Sequence, residues 1–169
     1  MPTLRGAPQR RAAPTVNAED FYQQVGGHDT FVRLVDEFYR GVADDDLLRP
    51  MYPEQDLGPA RERLLLFLEQ YWGGPTTYSD TRGHPRLRMR HAAFGVTPAA
   101  RDRWLLHMRN AVDELSLAPL HEQVLWDYLT RAAHAMVNTF EQQQPTPDFT
   151  MQRHHQNILL RPAETDTGE

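Results

Sequence analysis

Apolar residues recur with a helical period through the middle of the chain. Phe31, Leu34, Val35, Phe38, Tyr39 and Val42 fall at i, i+3, i+4, i+7, i+8 and i+11, the stripe of an amphipathic helix. Asp29 or Thr30 is placed to cap its start. A second stripe, Ala60, Leu64, Phe67, Leu68 and Tyr71, follows Pro59 and stops at Gly73-Gly74-Pro75. A third begins at Thr97-Pro98, a cap followed by proline at the first helical position. It carries Trp104, Leu105, Met108, Ala111, Val112 and Leu115. The fourth starts near Pro119 and carries Val124, Leu125, Tyr128, Leu129, Ala132, Met136, Val137 and Phe140. No convincing period-two strand interrupts them. Four substantial helices with short ones between predict an all-α domain.

The periodicity fails from Gly73 to Gly83, where Thr, Tyr, Ser, Asp and Arg dominate. The expectation there is a long loop, a length often tied to function. A short helical segment, His84 to Phe94, follows. Pro85 suits its first turn, and its apolar face carries His91. The ends read differently. Residues 1–18 hold Arg5, Arg10 and Arg11, three prolines and no acid, and are expected to be a disordered arm. Residues 141–169 are polar, with five acids against two Arg, and are expected to be disordered or weakly docked. The domain is then residues 19–140.

Length agrees, since 169 residues correspond to one domain at ~100–200 residues each. No run approaches the ~18 apolar residues of a membrane span. A net charge of −5 argues against a general nucleic-acid binder. With no export signal or lipid anchor visible, the cytoplasm is the default expectation. All 18 basic residues are Arg. The chain has no cysteine, which excludes disulfides, thiolate-bound zinc, iron–sulfur clusters and thiol nucleophiles. Metal chemistry is left to eight His and the carboxylates. The His154-His155 pair lies in the tail and reads as incidental.

A lone histidine on an apolar face, such as His91, is ordinarily a packing residue satisfied by a backbone carbonyl. Zinc would need further ligands, and no His-Glu-x-x-His pair exists. One imidazole in an otherwise apolar pocket does suit haem, which takes one strong axial protein ligand and gains the rest of its binding from apolar burial. Phe38, Tyr39, Tyr52, Leu64, Phe67 and Trp104 are spread over three elements. As a group they read either as core or as a cavity wall whose phenol and indole donors face a ligand.

One stretch carries a specific resemblance. It runs Phe67-Leu68-Glu69-Gln70-Tyr71-Trp72-Gly73-Gly74-Pro75, then Tyr78-Ser79, then Arg82-Gly83-His84-Pro85-Arg86-Leu87-Arg88-Met89-Arg90-His91. Phe21-Tyr22, Val25-Gly26-Gly27, Phe38-Tyr39 and Met51-Tyr52-Pro53-Glu54 support it. In this order and spacing, roughly residues 20–140 resemble a truncated haemoglobin of group II, the O-type branch. The resemblance implies a globin-like two-on-two helical sandwich and haem b. It implies that His91 is the proximal iron ligand, that Tyr39 and Tyr52 are distal tyrosines, and that Trp104 is the distal tryptophan. Ala60 falls where many globins place a distal histidine. Leu64 lines the cavity, with Phe67 and Met89 counted among the haem-binding residues. Arg63 is placed to reach a propionate, with Arg86 and Tyr78 as further candidates.

The implied activity is O₂ binding at a five-coordinate iron with slow release, supporting nitric oxide dioxygenation or peroxide-linked oxidation. Expected partners are O₂, nitric oxide or peroxide and an unidentified reductase, without nucleic acid or membrane; a homodimer stays open. Two readings compete. One is a non-catalytic oxygen store or haem-based sensor. The other is a helical interaction domain without cofactor, which would purify colourless.

Overall fold

The computed structural model describes residues 16–140. The predicted tail, with His154 and His155, lies outside the described residues, as does the predicted arm apart from 16–18. The chain runs through α1 (Ala18–Gln24), α2 (His28–Ala43), a 3₁₀ turn (Arg49–Met51), α3 (Gly58–Tyr71), α4 (Thr77–Arg82), α5 (Leu87–His91), α6 (Pro98–Glu114) and α7 (Pro119–Met136). The described residues contain no strand. Helix α2 packs on α3 and α6, and α6 packs on α7. Two helix pairs therefore lie one over the other, the two-on-two layout.

The stripe read on α2 is the centre of the core. Phe31, Leu34, Val35, Phe38 and Val42 are buried, each contributing about 1.5–3 kcal/mol by leaving water. They join Met108, Ala111 and Val112 of α6 and Leu125 and Leu129 of α7 in one cluster. Helix α6 starts as its sequence indicates: Pro98 opens it, and the Thr97 side chain accepts from the Ala100 N–H at 3.1 Å. Helix α2 starts earlier than its polar residues suggested. Gly27 stands at the N-cap with φ 66°, so Asp29 and Thr30 lie inside the first turn. The Thr30 hydroxyl donates instead to the Val25 carbonyl, at 2.7 Å.

Short elements depart most from the periodic reading. The stretch expected to be a loop contains α4, a six-residue helix. Its only buried side chain is Tyr78, which is too little for a stripe. Long-range bonds hold it: Gln70 of α3 donates to the Ser79 hydroxyl at 2.7 Å and accepts from its N–H at 2.9 Å. Helix α5 begins at Leu87, two residues after Pro85, because Arg86 takes a left-handed conformation with φ 42°. Helix α7 stops at Met136, four residues short of Phe140, which is exposed. There the chain turns to pair with the segment after α5. The Asn138 N–H donates to the Val96 carbonyl, and the Val96 N–H donates to Asn138 Oδ1.

Two close approaches set the frame. Gly73 has φ 92°, and a Cβ there would lie 2.0 Å from the Glu19 carbonyl oxygen. Only glycine lets α1 close on the end of α3, where the Tyr22 N–H reaches the Trp72 carbonyl at 2.9 Å. At the far end of α2, Asp45 is buried. It accepts from the Leu47 and Leu48 N–H groups, each at 2.9 Å, from Arg103 Nε at 2.8 Å and from His107 Nε2 at 2.6 Å. Burial alone would raise this carboxyl. The bonds from Arg103, His107 and the two amides outweigh it and hold the group well below the ordinary carboxylate range. The clamp ties the turn after α2 to α6 on both sides of Trp104.

Candidate functional site: a cavity between the helix pairs

Helices α3, α5, α6 and α7 enclose a cavity of about 500 Å³, a size typical of cofactor sites. Tyr39 and Tyr52 reach it from α2 and from the turn beyond. Ala60, Arg63, Leu64 and Phe67 line it from α3, Tyr78 from α4, His91 from α5 and Trp104 from α6. Nine of the eleven residues singled out in the sequence are thus brought to one space.

Met89 and Arg86 are not among the residues that line it. An α-helix turns about 100° per residue, so Met89, two before His91, faces the other way and is 69% exposed. Arg86 precedes the helix in its left-handed conformation and is also exposed.

His91 belongs to one wall. Its Nδ1 lies 2.7 Å from the Leu87 carbonyl, one turn earlier on the same face. A carbonyl only accepts, so Nδ1 carries a proton; in the neutral ring this leaves the lone pair on Nε2. Such a bond orients a metal-binding imidazole and fixes its tautomer. The His91 carbonyl in turn accepts from Asn138 Nδ2 at 2.9 Å.

A second stretch of the lining carries hydroxyl and indole donors. The Tyr39 and Tyr52 rings meet edge to face, with centroids 5.8 Å apart. Trp104 packs against Phe38, with centroids 5.2 Å apart. Burial raises both phenols; their mutual contact raises Tyr39 further and partly lowers Tyr52. Both therefore keep their protons and serve as donors. Ala60, small and buried, leaves room beside them.

Arg63, Arg82, Arg90 and Arg101 line the cavity, against Glu54 as the one carboxylate among the lining residues. Arg63 donates to Glu54 at 3.0 Å. Arg82 and Arg90 each hold a guanidinium 5.9 Å from the centre of the Tyr78 ring. Arg90 also ties down its own loop, donating to the Pro85 and Arg82 carbonyls at 2.7 and 2.8 Å. Sequence reasoning missed Arg82, Arg90 and Arg101. The available signal was their position, since Arg82 and Arg90 flank His91 within one short motif.

These residues fit haem. Among the described residues no three His, Cys, Asp or Glu converge on a point, so a metal in this cavity brings most of its own ligands, as a porphyrin does. An apolar slot, one imidazole with a free Nε2 and an arginine rim match the ring, the iron and the propionates in turn. No described helix is long and apolar enough to cross a membrane.

Comparison with known proteins agrees with this geometry. The family model described as "Bacterial-like globin" matches residues 20–138. A group 2 truncated hemoglobin of Bacillus subtilis is 39% identical over 115 residues, covering 68% of this chain and 86% of that protein. Among solved structures, a thermostable hemoglobin from Thermobifida fusca is 65% identical with a TM-score of 0.69, covering 70% of this chain and 96% of that one. A truncated oxygen-avid haemoglobin from Bacillus subtilis is 38% identical with a TM-score of 0.66, covering 70% and 98%. With a helical sandwich, a single presented imidazole and these relatives in agreement, the chain belongs to the bacterial-like globin family as a group II truncated haemoglobin, a haem protein that binds oxygen.

Proposed function

We propose that the protein retains O₂ and related diatomic ligands at a five-coordinate haem b iron, releases them slowly, and supports oxidation of nitric oxide or of peroxide-linked substrates. His91 would hold haem through Nε2, and the group would supply an iron that takes O₂ and other diatomic ligands. The chain's contribution is orientation and donation. The Leu87 carbonyl fixes the His91 ring through Nδ1, which would leave Nε2 to hold the metal. Arg63, Arg82, Arg90 and Arg101 are the propionate candidates, and engagement of Arg63 would cost it the Glu54 pair.

The observation that supports the reading is the trio of donors in the cavity lining, Tyr39, Tyr52 and Trp104, grouped through Phe38. A hydrogen bond to an acceptor that gains negative charge is worth ~1.5–3 kcal/mol. One such bond slows ligand escape roughly 10- to 100-fold. Two or three make a poor delivery protein and a good holder of ligand for chemistry. Ala60 leaves open the side by which nitric oxide or peroxide approaches. Converting nitric oxide and O₂ to nitrate takes one electron, which haem would supply, so continued turnover would call for a reductase.

The test is stopped-flow O₂ release from the haem-loaded chain, with single-turnover nitric oxide oxidation and peroxidase turnover beside it. Trp104→Phe is expected to raise the release rate at least about tenfold, the equivalent of ~1.4 kcal/mol. A release rate that hardly moves would make the tryptophan packing alone and overturn the donor role.

A further inference from the structure

A pair of phenol rings outside the donor trio connects the cavity to the surface. Tyr128 of α7 lines the cavity. It stacks on Tyr71 at the end of α3, with ring centroids 4.0 Å apart and planes inclined by 24°. Tyr71 is 46% exposed. Trp72 meets both rings edge-on, at 5.1 and 5.4 Å, but is buried, and its indole N–H meets no acceptor among the described residues. Oxidisable rings thus lead from the cavity to water in one stacked step.

Proton chemistry ranks the three rings. Removing one electron from a phenol or indole makes its O–H or N–H strongly acidic, so the oxidised state settles where that proton can leave. The Trp72 N–H is buried and meets no acceptor among the described residues. Tyr128 is half-buried, and burial and then Tyr71 raise its phenol. Tyr71 faces solvent and can hand its proton to water.

We propose that Tyr128 and Tyr71 form an exit for oxidising equivalents, and that Tyr71 is a surface site where a bulky phenolic reductant is oxidised. The proposal deepens the peroxide-linked reading and rests on it. With haem filling the cavity, a bulky aromatic molecule does not fit beside it, and its electrons have to enter from outside. The accounting is simple. One hydrogen peroxide takes up two electrons and two protons and leaves as two waters. Tyr71 passes those electrons inward through Tyr128 one at a time, releasing one proton to water each time. It then regains an electron and a proton from a phenol, which leaves as a phenoxyl radical. Each peroxide therefore consumes two phenols.

The experiment uses the haem-loaded full chain with hydrogen peroxide. Without reductant, the wild type is expected to form dityrosine-linked dimers that map to Tyr71, with a tyrosyl signal in electron paramagnetic resonance. Tyr71→Phe, which keeps the ring stack, is expected to lose both, and to lose peroxide-dependent oxidation of a bulky phenol. Its Soret band and O₂ release stay as in the wild type. Tyr128→Phe, with Tyr71 still present, is expected to lose most of the cross-linking. Cross-linking or phenol oxidation that persists in Tyr71→Phe overturns the proposal. So does a wild type with a normal Soret band and no tyrosyl signal. A chain lacking the Soret band overturns instead the haem reading beneath it.

Discussion

Tyr39 and Trp104 sit on helices of 16 and 17 residues, each with part of its face in the core, whereas His91 ends a five-residue helix with no buried side chain. The donor wall is built into the packing of α2 against α6 and fastened by Asp45. The histidine wall hangs on a few polar bonds: Nδ1 to Leu87, the His91 carbonyl to Asn138, and the Arg90 side chain to its own loop. The donor wall therefore keeps its geometry without a ligand. The other side depends on the haem to complete it, since a ligand bound only by the ordered state stabilises that state.

The largest expected effect tests that dependence. His91→Ala should abolish stoichiometric haem binding while far-ultraviolet circular dichroism shows the long helices intact; an unchanged Soret band would break the contrast. Next comes the donor wall. Asp45→Ala leaves the Leu47 and Leu48 amides and His107 without their acceptor and Arg103 with Asp46 alone, and should cost about 2 kcal/mol in urea unfolding. The pH dependence has a definite sign. The folded carboxyl lies below its unfolded value, so its contribution is present above about pH 4 and is lost as pH falls towards the folded value. The variant should therefore show a flatter acid limb than the wild type. The smallest effect belongs to Asn138→Ala, about 1 kcal/mol or less. It should appear as faster haem loss and faster hydrogen exchange in α5, with urea unfolding little changed. Equal exchange in α5 and α2 would show that the two walls are alike after all.

What could be read in advance follows the same division. Helices α2 and α6 announce themselves, because a long element against a core needs a repeated stripe. Helix α4 buries only Tyr78 and α5 buries nothing, so no period forms and only tertiary bonds define them. His91, Tyr39, Tyr52 and Trp104 were named through a motif and do line the cavity; Met89 came from the same motif and is exposed, because adjacency in a motif says nothing about the face of a helix. Asp45 was invisible for another reason. It stands in Asp44-Asp45-Asp46, which reads as a solvated acidic run, yet the middle residue is buried and its neighbours are exposed. Only the approach of Arg103 and His107, from a distant part of the sequence, tells it apart. Gly41 permits that approach, since a Cβ there would come within 2.3 Å of His107 Nδ1.

Asn138 gives the end of the domain a mechanical meaning. It holds Val96 and the carbonyl of residue 91 at once, so the chain leaves the last helix already tethered to the backbone beneath the imidazole. A pull on the carboxyl end is delivered to that tether, and so to the short helix that presents His91, rather than spent in fraying a helix.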